Sequence, residues 1–151
     1  MKHLKLYESY SPLKFDIEEE DEYGDRIIIK AILDGEEIGK SVMEFITAGY
    51  WEFEDEMTEE EYDKHFPEDS FAKVEVIEIK DDYKRKGYAT ELMSKTIEYI
   101  KSRNFKEIYL NASPMGMTGA SLTPLVNFYK KFGFKTIVKD DNNEEMVLHI
   151  R

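Results

Sequence analysis

Lys84-Arg85-Lys86-Gly87-Tyr88-Ala89-Thr90 place three cations, a glycine and a small residue at the start of a helical pattern. Residues 74–79 before them are apolar and β-branched. After them Ala89, Leu92, Met93, Thr96, Ile97 and Ile100 recur at the spacing of one buried helix face. A helix start ordinarily favours Asp or Glu, because its unpaired N–H groups and macrodipole carry partial positive charge. Three cations there are locally unfavourable unless an anion docks, and a glycine-flanked helix N-terminus is a ready anion site. Gly87 lets the backbone come close, and Ala89 keeps the next turn small. This combination implies a phosphate-bearing ligand; the simpler alternative is a solvated basic loop.

The same run resembles the acyl-coenzyme A signature of the GNAT superfamily of N-acetyltransferases, Arg/Gln-x-x-Gly-x-Gly/Ala, which lies between a fourth strand and the helix after it. Gly87 and Ala89 fill the two small positions, while Lys84 stands where the family usually has Arg or Gln. The resemblance implies that backbone N–H groups across Arg85, Lys86, Gly87, Tyr88, Ala89 and Thr90 hold the pyrophosphate of acetyl-coenzyme A. A second block, Leu125-Val126-Asn127-Phe128-Tyr129-Lys130-Lys131-Phe132-Gly133-Phe134, is similar to the family's late Tyr-x-Lys-x-Gly-Phe signature. Thr123-Pro124 reads as an N-cap followed by proline at the first helical position. Gly133 is the stop. Periodicity alone allows Tyr129 to be an ordinary core tyrosine; the resemblance makes it the acid that protonates the leaving thiolate. It also places Asn127 among the coenzyme-binding residues. The likeness covers residues 72–150, and the first seventy residues match it in general layout only.

By the same resemblance, Ile77, Glu78 and Ile79 pair by backbone with the pantetheine arm. Glu75 and Glu78 are unusual in a Val/Ile-rich strand, since an unpaired buried carboxylate is costly. Either both point to solvent or one faces a cleft, where Glu75 or Glu78 would be the base that takes the amine's proton; the resemblance favours Glu75, which lies where several family members carry a base. Asn111 is a further candidate for contact with the acyl chain or acceptor. The Gly- and Met-containing residues 113–121 suit a wall of the acceptor pocket or a flexible loop.

These groups need a scaffold. The expected elements are a strand near 13–17, strands 26–33 and 37–46 joined by Asp34-Gly35, and a short helix 58–65 capped by Thr58 with Glu61. Next come a strand 72–79, a helix 87–103 ended by Asn104, a strand 107–112, a helix 124–132 and strands 134–139 and 145–150. This order predicts an α+β fold, a GNAT-like central mixed, mostly antiparallel sheet flanked by helices. The family's early helix is here expected to have moved to 58–65.

Length and composition limit the remaining choices. A chain of 151 residues can bury roughly two-thirds of its unfolded surface in one core. We expect a single domain, with 1–70 as an acidic acceptor-side half and 71–151 as the acetyl-CoA-binding half. The first seventy residues carry 22 acids and 7 bases, net −15; the rest carry 11 and 14, net +3. The acidic excess is either solvated surface or a field that attracts a cationic amine or basic protein, and its sign disfavours nucleic acid. No cysteine is present and the three histidines show no ligand spacing, so no metal site is expected. No apolar run approaches the roughly 20 residues of a membrane span, and Met1-Lys2-His3-Leu4-Lys5 lacks an export-signal core, so a cytoplasmic monomer or homodimer is expected. The resulting expectation is an N-acetyltransferase that moves acetyl from acetyl-CoA to a cationic primary amine, whether a polyamine-like molecule or a protein lysine or N-terminus. The competing one is a GNAT-fold binding or inhibitor protein whose acidic face engages a basic partner.

Overall fold

In Arg26–Leu33 the side chains of Ile27, Ile29 and Ala31 are fully buried and those between them are half exposed. That period-two pattern belongs to a strand with one covered face. The computed structural model describes residues 12–20, 24–113 and 122–150. Among them are strands β1 (Leu13–Glu19), β2 (Arg26–Leu33), β3 (Glu36–Thr47), β4 (Ser70–Ile79), β5 (Glu107–Ala112), β6 (Lys135–Lys139) and β7 (Glu144–His149). The helices are α1 (Glu59–His65), α2 (Tyr88–Ser102) and α3 (Leu122–Lys130), with 3₁₀ turns at Gly49–Glu52 and Asp81–Tyr83. The strands hydrogen-bond in the order β1-β2-β3-β4-β5-β7-β6. β1–β2, β5–β7 and β6–β7 are antiparallel and β4–β5 is parallel. This is the expected mixed α+β sheet.

The chain folds as two compact units. One runs up to Val42 and takes in Val76–Ile97; the other comprises Met43–Glu75 and the residues from Glu98 on. In the first, Asp34 and Gly35 both have positive φ (51° and 83°), as a two-residue hairpin turn with the right twist requires. Leu92, Met93 and Thr96 of α2 are fully buried. Thr96 Oγ1 donates to the Leu92 carbonyl at 2.8 Å and lies 2.9 Å from Ser41 Oγ, so this buried hydroxyl pair is satisfied.

The second unit is built round an aromatic core. Phe53 lies 4.9 Å edge-on to Tyr109 and stacks 5.2 Å from Phe66, which lies tilted 4.7 Å from Phe71. Ile46, Met57, Tyr62 and Val147 complete the cluster. A Cβ on Gly49 would strike the Phe71 ring, so the chain passes there only without a side chain. α1 is seven residues long and begins with the expected capping box. The Glu61 N–H donates to Thr58 Oγ1 at 3.2 Å, and the Thr58 N–H donates to Glu61 Oε1 at 3.2 Å.

Two expectations need correction. α3 starts at Leu122, so Thr123 is no cap and Pro124 is the third helical residue. Proline is tolerated there because the N–H it lacks belongs to the first turn, where no intrahelical acceptor exists. The helix also stops at Lys130, before the Lys131–Gly133 turn, in which Gly133 has φ 101°. Asn104, by contrast, ends α2 in the left-handed conformation expected of it, φ 65°.

Candidate active site

The elements that the sequence reading put on the phosphate side lie in the first unit. β4 delivers the chain to Lys80, whose N–H donates to the Ile38 carbonyl at 2.7 Å. A Cβ on Gly39 would run into the Glu78 carbonyl oxygen and come 2.6 Å from Ile79 Cδ1, so glycine is what lets β3 lie this close to the end of β4. Tyr83 of the following 3₁₀ turn donates to Glu36 at 2.9 Å, which holds the turn to the start of β3. That bond also raises the Tyr83 phenol above its ordinary range.

Beyond the turn, Arg85 and Gly87 both take positive φ, 64° and 83°. For arginine this conformation costs about 1–2 kcal/mol, a strain that cationic loops rarely accept without reason. An added Cβ at Gly87 would meet nothing within 4 Å, so glycine answers to backbone conformation there and leaves open approach to the helix start. Gly87 has no side chain with which to cap α2, whose first intrahelical bond runs from the Glu91 N–H to the Gly87 carbonyl at 3.2 Å. The N–H groups of the first turn are therefore available to an external anion. Of the three cations, Lys84 is tied to Asp81 at 2.8 Å, and Lys86 lies 5.9 Å over the Tyr83 ring. Among the described residues, no ion pair engages Arg85. All three are exposed, as is Thr90; Tyr88 and Ala89 are half buried. The backbone conformation, a glycine where a capping side chain could stand and three exposed cations together suit an anionic ligand such as a diphosphate.

The β4–β5 register runs only from Ala72↔Ile108 to Val74↔Leu110, although β4 continues to Ile79. Ile77, Glu78 and Ile79 thus lie beyond the last residues paired with β5. Glu78 is exposed, with Lys40 Nζ 3.8 Å away. Glu75 is exposed too and has a partner of its own. Neither is a carboxylate enclosed among apolar side chains, which removes the burial argument that singled them out in the sequence.

Glu75, Asn111, Tyr129 and Asn127 belong to the second unit. Tyr129 is buried on α3, 5.4 Å from Phe128 and 5.9 Å from Phe134. No hydrogen bond among the described residues engages its hydroxyl, and burial alone pushes it up to about 12. Asn127 is exposed. Two positions along a helix turn it about 200° away from Tyr129, so the two do not share a face. Asn111 is exposed near the end of β5. Most of residues 113–121, read as an acceptor wall, lie outside the described residues.

Sequence reasoning missed a polar network in this unit. Glu145 of β7 is 6% exposed and accepts a hydrogen bond from the Tyr109 hydroxyl. The carboxyl of Glu56, in the turn before α1, is pushed up to about 7, chiefly by hydrogen bonding to Glu145, then by partial burial and the charges of Glu145 and Asp55. Burial raises the Tyr109 phenol as well, helped by its bond to Glu145. Lys73 of β4 meets Glu52 at 3.1 Å. The only sequence signal was the pair of adjacent acids, Glu144 and Glu145, at the start of a strand that continues Met146-Val147-Leu148.

The family model for GNAT-family acetyltransferases matches residues 3–134, and the chain belongs to that family. No curated protein matches it. Among solved structures it resembles a GNAT-family acetyltransferase of Elizabethkingia anophelis with acetyl-CoA bound, with TM-score 0.62, 13% identity, and coverage of 93% of this chain and 100% of that one. Arabidopsis thaliana NAA60 in complex with acetyl-CoA gives TM-score 0.60 and 16% identity over 99% and 92% of the two chains. The PaiA N-acetyltransferase of Thermoplasma acidophilum, solved with coenzyme A, gives TM-score 0.59 and 18% identity over 83% of this chain. The match spans 61% of that protein. At these identities the likeness establishes the fold.

Proposed function

We propose that this chain transfers an acetyl group from acetyl-CoA to a cationic amine. The observation that carries this reading is the start of α2, a helix N-terminus preceded by Gly87, reached through two left-handed residues and following Lys84, Arg85 and Lys86 in the chain. Family membership and coenzyme-bound neighbours of the same fold support it. In this reading the N–H groups from Arg85 to Thr90 bind the diphosphate, and the cations neutralise it. The backbone of Ile77–Ile79, beyond the β5 pairing, accepts the pantetheine amides.

Acetyl transfer then needs an amine to lose a proton and a thiolate to be stabilised. At about 12 the Tyr129 hydroxyl stays protonated throughout the neutral range and arrives as a donor. In this reading Tyr129 is the group that donates to the thiolate as it leaves. The net −15 of residues 1–70 concentrates cationic amines, with an effect that salt screens.

Calorimetric titration with acetyl-CoA and desulfo-coenzyme A, followed by an amine panel at low and high salt, tests the proposal. It requires binding at tens of micromolar or tighter and a preference for cationic amines that salt weakens. Absence of coenzyme binding would point instead to a binding protein on the same fold. A preference for neutral or anionic amines would reduce the acidic half to solvated surface.

A further inference from the structure

β1 ends the strand order, and among the described residues it pairs with β2 alone. The hydrogen bonding to β2 shows which backbone groups the other edge offers. One step beyond the β1–β2 register, the Glu20 N–H donates to the Arg26 carbonyl at 2.9 Å. Bonded and non-bonded positions alternate along antiparallel strands. Lys14, Asp16 and Glu18 therefore turn their N–H and C=O groups to β2, and Phe15 and Ile17 turn theirs to the open edge.

The side chains alternate as well. Leu13, Phe15 and Ile17 stand opposite Leu33, Ala31 and Ile29, so they extend the apolar face of β2. Cover is lost along that row: Leu13 is buried, Phe15 half buried and Ile17 41% exposed. The opposite face carries Lys14 and Asp16, both exposed and in no ion pair among the described residues. Glu18, next on that face, meets Lys30 at 3.1 Å. Natural sheets commonly blunt an open edge with charge. Here the two unpaired charges differ in sign and stand two residues apart, so the strand can oppose a copy of itself with the signs matched.

We propose that the open edge of β1 pairs antiparallel with β1 of a second copy, about a two-fold axis through Phe15; this is independent of the acetyl-transfer reading. Phe15 then faces its own counterpart, and the pair exchanges two backbone hydrogen bonds. Ile17 of each copy stands opposite Leu13 of the other, which covers the exposed end of the apolar row. Lys14 of each copy stands opposite Asp16 of the other, and Glu18 falls opposite Pro12. An interface that repeats each contact twice in this way is isologous and closed.

The charges select this register from its neighbours. Centring the axis on Lys14 would oppose two lysines, and centring it on Asp16 would oppose two aspartates. An axis through Ile17 would set Asp16 against Glu18. Like charges directly opposed destabilise a strand pair. An axis through Leu13 opposes no like charges but leaves Ile17 with no β1 residue opposite it. Phe15 alone gives matched charges and a covered Ile17.

A pair of strand edges is smaller than the standard interface of about 1,600 Å², so the dimer is a weak one. Sedimentation equilibrium of the full chain, from low micromolar to near-millimolar concentration, should show a monomer–dimer equilibrium. Each copy carries a net charge of −12, so the runs need about 0.15 M salt, which screens the repulsion between copies beyond about 8 Å. Ile17→Lys should weaken the dimer about tenfold or more. Lys14→Asp and Asp16→Lys should each do the same, because each sets two like-charge pairs across the axis. Mixing the Lys14→Asp chain with the Asp16→Lys chain should restore association to near the parent level, since every opposed pair is then of opposite sign. Circular dichroism of each variant would verify its fold. A parent that stays monomeric over the whole range would overturn the proposal, as would a dimer indifferent to both charge reversals. A mixture that associates no better than its components would do so too. A monomeric parent that instead binds an extended peptide of alternating Lys and Ile would give the edge to a foreign strand and refute the second copy as its occupant.

Discussion

Replacing Gly87 separates the coenzyme's electrostatics from backbone strain. Any L-residue at φ 83° costs about 1–2 kcal/mol in the folded state, but no steric clash, since a Cβ there meets nothing within 4 Å. Gly87→Ala should therefore lower stability by about that amount and affect coenzyme affinity little. Gly87→Glu carries the same strain, partly offset by about 0.3–1 kcal/mol from a carboxylate beside the α2 N-terminus. It also sets a negative charge near the diphosphate. At a separation of ~5 Å the repulsion per phosphate charge is about 0.8 kcal/mol in bulk water and about 3 kcal/mol at an effective dielectric of 20. Two phosphates bring the expected loss above ~1.4 kcal/mol, or tenfold in Kd. Thermal melts would establish the fold of both variants, and calorimetry with coenzyme A at two salt concentrations would measure affinity. A folded Gly87→Glu variant with parental affinity would refute the placement of the diphosphate. Equal losses in the alanine and glutamate variants would assign the effect to backbone conformation rather than to charge.

Tyr129→Phe should lower kcat by about 10–10²-fold, at the low end of acid assistance because a thiolate leaves readily, with coenzyme affinity nearly unchanged; a fully active variant would leave Tyr129 as packing. Gly39→Ala should destabilise strongly, with a lowered Tm read by circular dichroism, because its Cβ would meet main chain of β4 rather than a movable side chain. Thr58→Ala should cost about 1 kcal/mol by denaturant titration through loss of the capping box. Glu56 binds its proton more tightly folded, at about 7 against an ordinary 4.5, so between those values the folded state holds more protons and its stability falls as pH rises. The difference in Tm between parent and Glu56→Gln should accordingly favour the parent near pH 5 and diminish towards pH 8.

Where local chemistry decides conformation, the sequence was informative. Asp34-Gly35, the Thr58–Glu61 box, Asn104 and the stripe from Leu92 to Ile100 each act within a few residues, and each took its expected form. The start of α3 was misplaced because proline fits anywhere in a first turn, so Thr123-Pro124 fixed the helix but not its phase. The candidate site was legible in part. Lys84 to Ala89 marked a candidate anion site through composition, yet nothing in the order of residues foretold the left-handed Arg85. The Tyr109–Glu145–Glu56 assembly joins three segments far apart in the chain. Its only trace in the sequence was a pair of glutamates in an apolar strand, and their meaning depended on strand pairing that period-two alternation does not encode.

The position of β7 between β5 and β6 bears on how the second unit is made. β5 is synthesised more than thirty residues before the strand that covers its far edge. Until Glu144–His149 emerges, that edge presents unpaired N–H and C=O groups, and the Tyr109 hydroxyl lacks the carboxylate that satisfies it. A β-edge lined by Ile108 and Leu110 is a template for pairing with another chain. Until β7 pairs with it, the free edge of β5 is therefore the part of this unit most open to pairing with another chain.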